Sequence, residues 1–286
     1  MPVSPIESNA SALPDRVFEL HRAILLDLGF EIRPGCKILD LGCGDGRFVR
    51  YMRTRGFDAW GADISEDFRQ TEEAMLRSGE LGSSGSPFRK SELIPYRLDF
   101  PDDSFDVVLS NEVFEHVADY RKTLDEVRRV TRPHGVNLHF FPGRYCPLEP
   151  HTFVPLGTLV RWYPWLLLWG LLGIRNSHQK GLNAGEVARL NRDYLIQHTF
   201  YPTLLEVQQI VTERFSNCSF AQKEYLRHGT GRTRSMKALL GRLPGGPWLF
   251  AQLKVRALCF HQIPTPRVIG QPDPALFPKE VDGGPR

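Results

Sequence analysis

A doubly wound α/β fold, with a mostly parallel sheet and helices on both faces, is the fold class that this sequence predicts. Strand, turn and helix patterns alternate up to residue 142, and the first strand ends in a glycine-rich turn. Asp40, Asp63 and Asp99 each close one of three successive predicted strands. Because ligands of such folds bind at the carboxyl ends of the strands, the three aspartates are predicted to face one shared cleft.

The composition is that of an ordinary globular protein. The chain has 286 residues, of which 41% are hydrophobic and 24% charged, enough for one large domain or two small ones. The net charge of +3 is spread along the chain without a basic stripe, which argues against a nucleic-acid partner. The sequence carries no signature of an oligomeric state.

The cysteine pattern indicates a reducing, cytoplasmic compartment. The five cysteines are odd in number, widely spaced and without a Cys-x-x-Cys pair, so they predict neither a disulfide framework nor a metal site. Residues 1–14 lack the basic start and apolar run of a secretory signal. Within residues 1–34, the spacing of Val17, Leu20, Ile24 and Leu28 predicts an amphipathic helix over 15–29, which packs on the sheet edge or covers the ligand.

The glycine turn is predicted to bind the ligand through its backbone. Gly42, Gly44 and Gly46 follow the first strand and precede a helix over residues 47–55, so their N–H groups can approach a bulky ligand. A dinucleotide-binding loop requires a third glycine where this chain has Arg47. With Asp40 before it, the turn instead resembles motif I of the class I S-adenosylmethionine-dependent methyltransferases, acidic-x-Gly-x-Gly-x-Gly.

Asp63 ends the second predicted strand, over residues 57–62, and is followed by Ile64. Its carboxylate can accept two hydrogen bonds from the vicinal hydroxyls of a ribose. The resemblance places both residues at the cofactor. The alternative is that Asp63 or Ser65 caps the helix predicted over residues 66–77. Residues 78–91 are rich in glycine and serine and are predicted to be a flexible loop.

A second stretch, residues 96–117, resembles another block of the same family. The resemblance implies that Asp99 contacts the adenine amine, that Phe100 lies beside the adenine ring, and that Ser110 and Asn111 lie near the methionine portion. The alternative for Asp99 is a solvated turn.

Two histidines are candidate catalytic residues. His116 belongs to a Glu-His pair common in the family, and it either faces the substrate or holds the backbone. His151 closes a Glu-Pro-His group that resembles the substrate-side loop of some methyltransferases acting on sugars or lipid-linked precursors. An unperturbed imidazole is suited to take a hydroxyl proton at neutral pH, so His151 is a candidate general base, with a structural loop histidine as the alternative.

The resemblance covers residues 35–142, the predicted cofactor-binding core, and implies a Rossmann-like sheet of seven strands. Residues 201–265 are predicted to complete the sheet with a helix over 203–215, a strand over 219–226 and a last strand over 255–261. Residues 266–286 are rich in proline and glycine and are predicted to be a disordered tail.

Residues 143–200 form a predicted aromatic helical insertion after the fifth strand. Within it, residues 153–174 carry Trp162, Trp165 and Trp169, but Arg161 and two prolines argue against a membrane span. Three interpretations stay open: a helical cap on the core, a lid over a greasy substrate, and a segment in peripheral contact with a membrane.

The resemblance implies transfer of a methyl group from S-adenosylmethionine to a small-molecule, glycan or lipid-linked acceptor. Methyl transfer needs alignment and exclusion of water more than acid or base catalysis, so the motifs do not identify the acceptor. Two alternatives remain: a non-catalytic binding protein that uses the aromatic insertion for a partner or a membrane surface, and a nicotinamide-dependent oxidoreductase.

Overall fold

The computed structural model describes residues 14–81, 85–93, 96–229, 234–262 and 268–269. A seven-stranded sheet forms the centre of the molecule, in the order β3-β2-β1-β4-β5-β7-β6. Its strands, in chain order, are β1 Lys37–Leu41, β2 Asp58–Asp63, β3 Phe88–Lys90, β4 Phe105–Asn111, β5 Thr131–Pro142, β6 Asn217–Phe220 and β7 Val255–His261. Strand β7 runs antiparallel to β5 and β6, whereas the other neighbouring pairs are parallel. The predicted fold class is confirmed.

The helices cover both faces of this sheet. Helices α1 and α2 contribute to one apolar core, and α4 and α7 contribute to the other. Since the strand order reverses between β1 and β4, the carboxyl ends of these two strands form the crevice in which such folds bind ligands. The helices are α1 Pro14–Asp27, α2 Arg47–Thr54, α3 Arg69–Arg77, α4 Tyr120–Val130, α5 Tyr163–Leu171, α6 Ala184–Gln197, α7 Leu204–Thr212, α8 Gln222–His228, α9 Arg234–Arg242 and α10 Gly246–Leu253.

The predicted amphipathic helix is α1, and it packs on other helices. It contacts α2 and α8. Its Phe18 ring lies edge-on to Phe57 at 5.0 Å between centroids. The structure therefore favours the packing interpretation of this helix over a cover for the ligand. Helix α7 begins where expected, because Thr203 and Glu206 form a reciprocal capping box.

Three stretches differ from the prediction. The predicted loop over residues 78–91 contains β3, an edge strand whose three residues are too few to show an alternating pattern. The strand predicted to end near Asp99 is a two-residue ladder, Tyr96–Arg97 against Glu92–Leu93, outside the main sheet. The strand predicted over residues 219–226 ends at Phe220 and is followed by α8, since Gln222 through His228 are good helix formers without β-branched residues.

The aromatic insertion forms a small helical unit of its own. Helices α5 and α6 pack on each other around Val154, Leu166, Ala188 and Leu195. None of the helices among the described residues has the length and apolar character needed to span a membrane. The predicted absence of a signal at residues 1–14 concerns residues that, except Pro14, lie outside the described part. Of the predicted tail over residues 266–286, the structure describes only Val268–Ile269, which form a short strand parallel to Glu31–Ile32.

A buried histidine makes folding sensitive to acid. His21 on α1 is fully buried, and its burial lowers its pKa to about 4, against a hydrogen bond to Val17 that raises it. The unfolded chain therefore binds the proton first as the pH falls below about 6.5, and stability is lost as the pH falls toward 4. We expect about 2 kcal/mol of unfolding free energy from this histidine to be lost between pH 7 and pH 5.

Urea unfolding of the wild type and of His21→Leu at both pH values measures this loss. The variant keeps an apolar side chain in the core and lacks the titrating group. Lowering the pH from 7 to 5 should therefore reduce its unfolding free energy by about 2 kcal/mol less than it reduces that of the wild type. An identical pH dependence in both proteins would contradict the assignment.

Candidate functional site

The glycine turn after β1 has the open backbone that the sequence predicts. Gly42, Gly44 and Gly46 have φ angles of 74°, 50° and 76°. A Cβ atom added to Gly44 would meet nothing within 4 Å, whereas one on Gly42 would lie 2.3 Å from a methyl carbon of Val113. The turn thus presents bare backbone to the crevice on one side and packs tightly against the end of β4 on the other.

The tight approach at Gly42 predicts a specific cost for substitution. Gly42→Ala combines a left-handed φ with the Val113 clash, whereas Gly35→Ala shares the left-handed φ of 90° and meets nothing within 4 Å. We expect Gly42→Ala to lower the free energy of unfolding by about 1–3 kcal/mol more than Gly35→Ala does. Denaturant unfolding of the two variants measures the difference, and equal losses would contradict the clash.

Asp63 lies against this turn at the end of β2. One carboxylate oxygen accepts the Gly44 N–H at 2.8 Å and the other accepts the Ser65 N–H at 2.8 Å. Helix α3 begins only at Arg69, so Asp63 does not cap it. Asp40 is 3% exposed, and burial followed by the negative charge of Asp63 raises its pKa. The structure therefore brings these two predicted aspartates together, and Ile64 beside them is 43% exposed.

Asp99 does not occupy the position that the sequence predicted. It follows the short ladder outside the main sheet, its side chain is 82% exposed, and its carboxylate lies 3.8 Å from the guanidinium of Arg89. The residues that follow β3 are Ser91 and Glu92, and the Ser91 N–H donates to the Asp63 carbonyl at 2.7 Å. The prediction that Asp99 ends the third strand of the sheet is wrong, because the sequence showed no pattern for a strand as short as β3.

Two further predicted cofactor residues lie in the protein core. Phe100 is 8% exposed, and its ring lies edge-on to Phe105 at 4.9 Å between centroids. Ser110 is fully buried, and its hydroxyl is hydrogen-bonded to His139 Nδ1 at 2.7 Å. Both side chains are therefore taken up by protein contacts. Asn111, the last residue of β4, is half-buried at the crevice.

The two predicted histidines meet in a polar cluster beside the end of β4. His116 belongs to a 3₁₀ turn, Phe114–His116, and its ring centroid lies 4.9 Å from that of His151. His151 is 6% exposed, and its Nε2 lies 4.0 Å from a carboxylate oxygen of Glu115. Glu115 is itself 1% exposed. Burial and then the charge of Glu112 raise the pKa of Glu115.

Glu149 organises the far side of this cluster. It is fully buried, and its carboxylate accepts hydrogen bonds from the His151 ring at 2.6 Å, the Tyr201 hydroxyl at 2.8 Å and the Thr152 hydroxyl at 2.8 Å. The backbone N–H groups of His151 and Thr152 also donate to it. Burial opposes its ionisation, but the hydrogen bond and charge of His151 and the bonds from Thr152 hold its pKa at about 2.

These hydrogen bonds define which nitrogen of each imidazole is free. His151 Nδ1 faces the Glu149 carboxylate, and His116 Nδ1 faces the His198 carbonyl at 2.6 Å, so both Nδ1 atoms must carry the proton. Burial, followed by the charge of His151, lowers the pKa of His116 to about 4, so His116 is neutral at pH 7. His116 therefore keeps an Nε2 lone pair for a ligand.

Three separate parts of the chain build the cluster. The Phe200 N–H donates to the Glu115 carbonyl at 2.6 Å, which ties the segment after α6 to the 3₁₀ turn. Tyr194 also belongs to the cluster, because its ring centroid lies 5.5 Å from that of His151. Glu149, Tyr194 and Tyr201 were not among the predicted site residues. The two-residue spacing between Glu149 and His151 was a sequence signal that could have identified Glu149. No sequence signal pointed to Tyr194 or Tyr201, because only the folded chain brings these tyrosines to the cluster.

Residues 39–138 match the family model described as a methyltransferase domain. This span is a class I methyltransferase domain. It contains the end of β1, the strands β2, β3 and β4, the glycine turn and the 3₁₀ turn with Glu115 and His116. Glu149, His151, Tyr194 and Tyr201 lie outside the matched span, in the segments that follow it.

Curated methyltransferases are similar to part of this chain. A ubiquinone biosynthesis O-methyltransferase from Rhizobium rhizogenes is 28% identical over 130 residues, which are 46% of this chain and 50% of the relative. A sterol 24-C-methyltransferase from Gibberella zeae is 32% identical over 124 residues, 43% of this chain and 31% of the relative. The chain thus spans about half or less of the length of these relatives.

Among solved structures, an S-adenosylmethionine-dependent methyltransferase from Mesorhizobium loti is similar, with a TM-score of 0.47 and 17% identity over 86% of this chain and 98% of that one.

The cofactor of a class I methyltransferase domain is S-adenosylmethionine, and the crevice fits it. The space above Gly44 is open, and Asp63 stands beside it at the end of β2 with its carboxylate already aligned by two backbone N–H groups. Asn111 lies at the end of the adjacent strand β4.

Proposed function

We propose that this chain is an S-adenosylmethionine-dependent methyltransferase that acts on a small-molecule acceptor, including a glycan or a lipid-linked molecule. The observation that supports it most is the match of residues 39–138 to the methyltransferase domain together with the arrangement of Asp63 beside the open glycine turn. The nicotinamide alternative is not favoured, because Arg47 replaces the glycine that a dinucleotide loop needs.

The proposed cofactor residues are those that reach the crevice: Asp40, Gly42, Gly44, Gly46, Asp63, Ile64 and Asn111. Asp63 is proposed to bind the ribose hydroxyls, since its carboxylate has lone pairs beyond those taken by its two backbone bonds. Ser91 and Glu92 replace Asp99 as candidates for the adenine end, because they follow β3. When bound, S-adenosylmethionine supplies a methyl group on a sulfonium for in-line transfer.

The acceptor is proposed to bind next to the cluster of Glu115, His116 and His151. His116 and His151 are the proposed catalytic residues, because His116 presents an unprotonated Nε2 atom and the two rings lie 4.9 Å apart in a site that is largely shielded from water. Such a site suits an acceptor with a hydroxyl group, whose proton must leave as its oxygen attacks the methyl carbon. The insertion, residues 143–200, closes this side of the site by supplying His151.

A peripheral membrane contact through the insertion remains a proposal. Four large apolar side chains on or beside α5 are 45–71% exposed: Trp162, Leu168, Leu171 and Leu172. The proposal of a cytoplasmic location with no nucleic-acid partner is unchanged.

Calorimetric titration tests the cofactor assignment. The wild-type chain is titrated with S-adenosylmethionine and, separately, with NAD⁺, and we expect binding of the first alone. A cell extract incubated with the protein and isotope-labelled methyl donor then identifies the product by a mass gain of one methyl group. Tight binding of NAD⁺ without binding of S-adenosylmethionine would overturn the proposal, as would cofactor binding without any labelled product.

A further inference from the structure

We propose that Glu115, His116 and His151 form a binding site for one divalent transition-metal cation of the zinc type, on the acceptor side of the crevice. Its catalytic role rests on the proposed methyltransferase function, whereas the binding itself does not. The spacing of the cysteines predicted no metal site, whereas this cluster consists of histidine and glutamate side chains that lie up to 36 residues apart in the chain.

The donor atoms already lie close together. One ligand atom from each of the three side chains lies within 4.8 Å of those of the other two. A tetrahedral zinc ion with bonds of about 2.0–2.1 Å brings its ligand atoms to roughly 3.4 Å from one another. The separations between the ligand atoms therefore have to shorten by up to about 1.4 Å, which side-chain rotation supplies.

The cluster contains buried atoms that lack hydrogen-bond partners. Both carboxylate oxygens of Glu115 and the Nε2 atom of His151 are inaccessible to solvent, and none of the three has a hydrogen bond. A buried carboxylate without donors is costly, and the neighbouring carboxylates of Glu112 and Glu149 add negative charge. A cation bound between Glu115 and His151 removes this cost, because it is the missing partner of all three atoms.

The surroundings hold the imidazoles in the form that binds metal. His151 donates its Nδ1 proton to Glu149, and His116 donates its Nδ1 proton to the His198 carbonyl, so Nε2 is the free donor atom of each ring. A carboxylate or carbonyl behind a coordinating histidine is the usual arrangement around protein-bound metals. Glu149 is in turn fixed by Tyr201 and Thr152.

The donor set favours particular ions. Two imidazoles and one carboxylate suit zinc and its transition-metal neighbours, whereas magnesium and calcium prefer oxygen ligands. Three protein ligands leave a coordination position open, as in catalytic zinc sites. An acceptor hydroxyl that binds there would become more acidic and lose its proton to solvent, because the cation would stabilise the resulting oxyanion for attack on the methyl carbon. His116 and His151 would then be ligands, and His151 would not be the free general base that the sequence suggested.

Cobalt(II) is the probe for this site, because a four-coordinate cobalt ion absorbs visible light. The purified, metal-stripped full chain is titrated with CoCl₂ without S-adenosylmethionine, and bound zinc is counted separately by elemental analysis after dialysis against ZnCl₂. We expect about one ion per chain. Glu115→Gln and His116→Gln should abolish the visible absorption, and Glu149→Gln should weaken binding about 10–100-fold by loosening His151.

His178→Gln is the matched control, since it removes an imidazole of the insertion that lies outside the cluster, and it should bind cobalt as the wild type does. Circular dichroism of each variant checks its fold, and His116→Gln serves if Glu115→Gln does not fold, because His116 is only half-buried. Absence of cobalt absorption in the wild type, or equal binding by the folded His116→Gln variant, would overturn the inference. Binding of S-adenosylmethionine, measured in a separate titration, decides the proposed function independently.

Discussion

Replacing Asp63 with alanine is expected to weaken S-adenosylmethionine binding by at least about 100-fold, because the carboxylate is proposed to hold both ribose hydroxyls and each charge-assisted hydrogen bond contributes roughly 1.5–3 kcal/mol. The same change frees the Gly44 and Ser65 N–H groups that the carboxylate accepts in this structure. Isothermal titration measures the affinity, and thermal unfolding of the same samples separates loss of binding from loss of fold.

Asp58→Ala is the control for this prediction. Asp58 begins the same strand β2, at the end away from the crevice, and its side chain is 46% exposed. This variant should keep the wild-type affinity for the cofactor. An Asp63→Ala protein that remains folded and binds S-adenosylmethionine as the wild type does would contradict the ribose assignment.

Replacing Glu149 with alanine is expected to lower the free energy of unfolding by about 3–5 kcal/mol, since it leaves a set of buried donors without an acceptor. The side chains of His151, Thr152 and Tyr201 all donate to this one carboxylate. For a domain of this size the loss corresponds to a fall in melting temperature of roughly 10 °C, which differential scanning calorimetry measures.

Two comparisons make this prediction specific. Tyr201→Phe removes a single hydrogen bond to the carboxylate and should cost about 1 kcal/mol. Glu73→Ala removes a carboxylate whose side chain is 66% exposed and whose ion pair with Arg77 spans 3.6 Å, so it should change stability by less than about 0.5 kcal/mol. Similar melting temperatures for Glu149→Ala and Glu73→Ala would show that the buried network does not stabilise the fold.

The cofactor half of the site was predictable from the sequence because its signals are local. Asp40, the three glycines and Asp63 belong to one strand–turn–helix–strand unit, and an apolar strand followed by glycine specifies that unit without reference to the rest of the chain. The last strand, predicted over residues 255–261, was found at those residues, because its apolar run is bounded by polar residues on both sides.

The position of Asp99 and the cluster of Glu115, His116 and His151 were less predictable from the sequence. Strand β3 has only three residues, too few to show an alternating pattern of apolar and polar residues. The third strand was therefore assigned to the segment before Asp99, which lies outside the main sheet. The partners of His116 and His151 come from positions far along the chain, and no spacing rule connects Glu115 with the His198 backbone or Tyr201 with Glu149. Phe100 and Ser110 were assigned to the cofactor site by family resemblance alone. A motif match does not indicate whether a side chain is buried in the core.

The backbone link between Phe200 and Glu115 has a consequence for the order of folding. Closing a long loop costs conformational entropy, so contacts between distant residues form after contacts within a short stretch. The turn proposed to bind the methyl donor involves only residues 40–65, whereas the proposed acceptor pocket requires residues 115, 149 and 200 to meet. We therefore expect a newly made chain to form the glycine turn early and the cluster of Glu115, His116 and His151 only when the insertion has folded back onto the sheet.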